Sequence, residues 1–103
     1  MNYTENYKGV KIDVQSPNLD VSLDIQSEIR NCINKLAKFT PDINALDVYF
    51  KAEGQGTTAI TTIGMRVGIP GPDVFAEEKG ENWVGMLKSV TDKNIRQIQK
   101  NKQ

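Results

Sequence analysis

Ser89, Lys93, Arg96 and Lys100 recur at steps of three and four, the spacing that stacks side chains on one face of a helix. An earlier stretch carries Asn31, Asn34, Lys35 and Lys38 in the same manner, with no acid after Glu28. Ammonium and guanidinium groups held in a row donate charge-assisted hydrogen bonds to oxyanions such as phosphate. They are poor general bases, and the residue best suited to that task is missing: the chain has no histidine. Its carboxylates form no spaced pair in a recognisable motif. The single cysteine, Cys32, falls on the core side of a predicted helix, where a thiol packs as a small hydrophobe. The chemistry on offer is therefore anion binding, and no enzyme activity is expected. The bland explanation of the row is that lysines near a helix C-terminus complement the helix dipole. The row gains meaning only if a second element extends it.

Two helices must position these cations. Asn82 can cap the second, since its side-chain oxygen can accept a free N–H of the first turn. Behind it Trp83, Leu87, Val90 and Ile98 fall in a narrow arc, widened by Val84, Met86 and Ile95 to a broad apolar face that suits a sheet. The first helix shows the stripe Ile25, Ile29, Cys32, Ile33 and Leu36 and ends near Phe39, before Thr40-Pro41-Asp42. Ser22 and Asp24 are both candidates for its cap. Side by side, the helices would point Lys35 and Lys38 into the same solvent as Lys93, Arg96 and Lys100, with Arg30 and Lys88 flanking. The acids Asp13, Asp20, Asp42, Asp47, Glu77, Glu78 and Glu81 fall on strands, loops and the last turn. A formal net charge of zero could thus hide one basic surface.

Strands supply the support. Val10, Ile12 and Val14 alternate with Lys11 and Asp13, and Ser16-Pro17-Asn18 ends that strand. Leu46, Val48 and Phe50 alternate with Asp47, Tyr49 and Lys51. Gly54-Gln55-Gly56 reads as a hairpin tip, and a third strand runs from about Ala59 to Val67. A stiff connection, Gly68 to Pro72, leads to a strand at Asp73 to Glu78 and a turn at Lys79-Gly80. The order β-α-β-β-β-α predicts an α+β domain: a four-stranded sheet with two helices packed on one face, spanning residues 10–103. Residues 1–9 read as a flexible lead-in. Trp83 and Phe50 are placed for the core, with Phe75 left open. Tyr49 is then the one strand aromatic expected in solvent, too few for a base-stacking sheet.

A length of 103 residues suits one domain, and 38% hydrophobic with 25% charged residues is ordinary for a globular one. No apolar run reaches membrane-span length. The polar start, Met1 to Lys8, lacks the centre of a secretion signal, so a cytoplasmic location is expected.

In order, spacing and its basic last helix the chain resembles the short ribosome hibernation promoting factors, also called ribosome-associated inhibitors or sigma-modulation proteins. Three segments carry the resemblance: a strand, loop and helix ending Lys35-Leu36-Ala37-Lys38; the middle meander; and Asp-Val-Phe-Ala at 73–76, Glu81-Asn82-Trp83 and the helix with Asp92-Lys93 and Arg96-Gln97. It covers about Val10 to Lys102. The resemblance implies binding of small-subunit ribosomal RNA in the channel used by messenger and transfer RNA, and silencing of idle ribosomes in stress or stationary phase. It implies no cofactor, no small-molecule substrate, no membrane partner and a monomer when free. By match, the phosphate-contacting residues would be Arg30, Lys35 and Lys38 on the first helix and Lys88, Lys93, Arg96 and Lys100 on the second. The chain departs from the family pattern in its neutral charge, its early-ending first helix, Pro70 and Pro72, and the leading nine residues. A protein-interaction module of the same fold is the alternative, supported by that neutral charge. Binding of free double-stranded RNA is disfavoured, because Asn82-Trp83-Val84 stands where such domains place lysines.

Overall fold

A computed structural model describes residues 1–54 and 60–101. The expected tip residues Gln55 and Gly56 and the start of a strand at Ala59 lie outside the described residues. The order is β1 (Asn2–Tyr7), β2 (Val10–Gln15), α1 (Leu23–Phe39), β3 (Ala45–Glu53), β4 (Ile60–Gly68), β5 (Val74–Gly80) and α2 (Trp83–Asn101). The α+β architecture and the layer of two helices stand as expected, but among the described residues the sheet has five strands in the order β1-β2-β3-β4-β5. Of these, β2 and β3 pair in parallel, across the α1 connection, and the other neighbours are antiparallel.

The additional strand corrects the reading of residues 1–9 as a flexible lead-in. Lys8 and Gly9, at φ 50° and 81°, form a two-residue turn between the paired residues Tyr7 and Val10. Positive φ at both central positions is the geometry that matches the twist of a hairpin, and glycine at the second supplies it without a Cβ clash.

Alternation divides the sheet into two faces. Ile12, Val14, Leu46, Val48, Phe50, Ile63, Met65, Val67 and Val74 are buried beneath the helices. From above, α1 lowers Ile29, Cys32, Ile33 and Leu36, and α2 lowers Met86, Leu87, Val90, Ile95 and Ile98. At one end of this layer the rings of Phe50 and Trp83 lie 4.8 Å apart at 34°. Local chemistry fixes the helix starts. Ser22, not Asp24, caps α1, its hydroxyl accepting the Ile25 N–H at 3.3 Å, while Asp24 sits in the first turn near the positive end of the dipole. Asn82 caps α2 as expected, accepting the Gly85 N–H at 3.0 Å.

Polar groups between the layers set the seating of α2. The Thr91 hydroxyl donates to the Leu87 carbonyl at 2.8 Å, and the Asn94 amide donates to the Met65 carbonyl of β4 at 3.1 Å. Cys32 is buried, and its thiol lies 3.8 Å from the Leu87 carbonyl. Burial pushes that thiol up to about 11, so it stays protonated and packs as a hydrophobe.

Candidate nucleic-acid interface

Cys32 meets Leu87, and Lys35 meets Asp92. Contacts that advance together along both chains mean that α1 and α2 run parallel. Their C-terminal ends therefore share one end of the molecule, with Lys38 in the last turn of α1 and Lys100 in the last turn of α2. Between the helices runs a polar groove of about 450 Å³ lined by Glu28, Asn31, Cys32, Lys35, Lys88, Thr91 and Asp92.

The structure separates the seven cations matched to the family into two sets. Lys38, Lys88, Arg96 and Lys100 are exposed on the outer surface of the helix layer, and no ion pair engages them among the described residues. The other three are held by carboxylates. Arg30 reaches down the outer flank of α1 to β1, where its Nε and Nη2 donate to the two carboxylate oxygens of Glu5 at 2.6 and 2.8 Å. That two-pronged bond holds the Glu5 carboxyl below its usual range. Lys35 spans the groove to Asp92 at 2.6 Å. Lys93 leaves the opposite flank, pairing with Glu78 at 3.0 Å and donating to the Glu77 carbonyl of β5 at 3.1 Å. The Ser89 hydroxyl donates to the same Glu78 at 2.6 Å, and with Lys93 it lowers that carboxyl as well.

The expected separation of acids from the basic surface is thus incomplete. Asp92 lies one turn from both Lys88 and Arg96, inside the cationic row. Its spacing was visible in the sequence, but its partner Lys35 lies 57 residues away. Glu5 carries no local signal, because residues 1–9 show no aliphatic alternation.

The second face of the sheet also differs from expectation. Phe75 is 39% exposed and lies on that open face with Tyr49. Both border Gly64, where a Cβ would come within 3.1 Å of Phe75 and 3.4 Å of Tyr49. Glycine at this site lets the two rings close over the strand. The face is mixed in charge: Lys11, Arg66 and Lys79 are exposed on it beside Asp13, Asp47 and Glu77. Asp13 and Asp47 are register partners on β2 and β3, and burial, then Asp13, raises the Asp47 carboxyl above its usual range.

Among the described residues no cluster of three or more metal-ligating side chains occurs, and no helix is long and apolar enough to cross a membrane.

The chain matches the family described as sigma 54 modulation protein / S30EA ribosomal protein over residues 12–103. No curated protein matches it. Among solved structures, a ribosomal subunit interface protein from Coxiella burnetii superposes with a TM-score of 0.70 at 14% identity, covering 88% of this chain and 96% of that one. The N-terminal domain of Protein Y from Thermus thermophilus gives 0.70 at 17% identity, covering 84% of this chain and 92% of that one. At such identities the likeness establishes a shared fold.

Proposed function

The chain belongs to the sigma 54 modulation protein / S30EA ribosomal protein family, and from that premise we propose that it is a ribosome-associated translation inhibitor. It binds small-subunit ribosomal RNA in the channel used by messenger and transfer RNA and silences idle ribosomes under stress or in stationary phase. The mechanism is occlusion: a rigid domain, held by its helix layer on phosphate oxygens, occupies space that translation requires. Such a partner implies a cytoplasmic place of work.

The observation that carries this reading is the exposed set Lys38, Lys88, Arg96 and Lys100, which needs no rearrangement to meet phosphate. Lys35, beside the groove, joins them if a phosphate displaces Asp92. Arg30 and Lys93 stand on the flanks and contribute second, by exchanging a carboxylate for RNA. Every one of these exchanges trades an existing ion pair for a new one, so its net gain is small. The unpaired four carry most of the affinity.

Co-sedimentation of the chain with small ribosomal subunits at increasing salt tests the proposal. Four phosphate contacts make log affinity fall against log salt with a slope of about −2.8 to −3.6. Replacing Lys88→Glu and Arg96→Glu together abolishes co-sedimentation while the circular dichroism spectrum is unchanged. Full retention by that double variant would favour the protein-interaction module instead, because a docking surface elsewhere on the fold would not feel the reversal.

A further inference from the structure

The two edges of the sheet are finished differently. On β5, side chains from α2 reach the strand and occupy its carbonyls: Gln97 donates to Phe75 O at 2.8 Å and Lys93 to Glu77 O at 3.1 Å. On β1 no described side chain reaches the outward backbone. The hairpin turn fixes which groups those are. Tyr7 and Val10 close it, so Tyr7, Glu5 and Tyr3 direct their N–H and C=O groups toward β2, and Asn2, Thr4 and Asn6 direct theirs away from the sheet. Natural edges are usually blocked by proline, a bulge or a charged side chain. Asn2–Tyr7 has no proline or bulge, its one charged residue, Glu5, is held by Arg30, and its pairing to β2 runs without interruption.

We propose that the outer edge of β1 is a self-association site, where a second copy of this chain adds its own β1 antiparallel to form one ten-stranded sheet. Self-complementarity of the strand favours a second copy. With Thr4 on the two-fold axis, Thr4 faces the partner's Thr4 and Asn2 faces the partner's Asn6, so every outward backbone group finds a mate. The single charged residue of the strand, Glu5, then faces the partner's Tyr3 and never its own copy. Glu5 is also already neutralised by Arg30. A formal net charge of zero removes the long-range repulsion that separates like molecules. Apolar surface lies at the seam as well. Leu23, two turns before Arg30 on the same face of α1, is 78% exposed. A two-fold axis perpendicular to the sheet sets both α1 helices on one side, flanking the joint. The site lies before residue 12, where the family match begins. It replaces the monomer expected from the resemblance with a concentration-dependent dimer.

Sedimentation equilibrium of the full chain tests this. The wild type should shift from 11.5 kDa toward twice that mass, with a dissociation constant between about 1 µM and 1 mM. Thr4→Pro should stay at the monomer mass throughout with an unchanged circular dichroism spectrum, because the N–H it removes points outward and serves no bond within the monomer. Thr4→Cys should cross-link to a covalent dimer under mild oxidation, since axial residues of such a pair lie about 5.5 Å apart at Cα. Wild-type protein that remains monomeric at about 1 mM overturns the proposal. So does a Thr4→Pro variant that dimerises like the wild type, or an edge that accepts a strand only from a different protein.

Discussion

The flanks of this molecule face the same physical problem and solve it with opposite investments of charge. At β5 the helix comes to the strand: Gln97 and Lys93 of α2 cover edge carbonyls, and Ser89 with Lys93 fixes Glu78. At β1 the strand comes to the helix: Glu5 takes Arg30, and the Tyr7 hydroxyl donates to the Asn34 side chain at 3.1 Å. The first arrangement closes a sheet edge. The second ties down a strand yet leaves its outer edge open. Each draws one cation away from the helix surface, so covering the sheet and presenting charge to a polyanion compete for the same side chains.

The largest effects are expected in the core that both flanks share. Leu36 under α1 and Leu87 under α2 are both 0% exposed. Leu36→Ala and Leu87→Ala should each cost about 2–5 kcal/mol in urea-induced unfolding. A much smaller loss at one of them would show that its helix is not seated as described. Less severe is removal of the side chain sealing β5. Gln97→Ala should cost about 0.5–1.5 kcal/mol and raise the hydrogen-exchange rate at that edge, leaving β1 amides unchanged. Equal loosening at both edges would mean that they are not independent.

The smallest effect sharpens the β1 side. The folded Glu5 carboxyl lies below its ordinary 4.5. A depressed folded value means a stabilisation that is present above the unfolded value and is lost as pH falls through the folded one. Thermal melts should therefore show the wild type losing stability below about pH 4.5. Glu5→Gln should flatten part of that slope, Glu78 supplying the remainder in the same direction. An unchanged slope would mean that the Arg30 clamp does not form in solution. All of these losses at the flanks are modest, because both ion pairs are partly exposed to water.

Much of the fold was legible in the chain. The arc of Trp83, Leu87, Val90 and Ile98 announced α2, and the stripe from Ile25 to Leu36 announced α1, since helical period is written in neighbouring residues. Strand β1 was not legible. Its inward positions are Tyr3, Glu5 and Tyr7, so the alternation that marks an edge strand is interrupted by an acid. That acid is sensible only beside Arg30, 25 residues further on. Phe75 was ambiguous for a similar reason. It alternates with Val74 and Ala76, and only the register against β4 sets it beside Gly64 on the open face.

For the candidate interface, the chain alone determined that cations lie on the solvent sides of two helices, because amphipathic periodicity is a local property. Which cations are free was decided only by tertiary structure. The carboxylates that hold Arg30 and Lys35 arrive from distant segments, and ion pairing depends on distance in space, which no periodicity encodes.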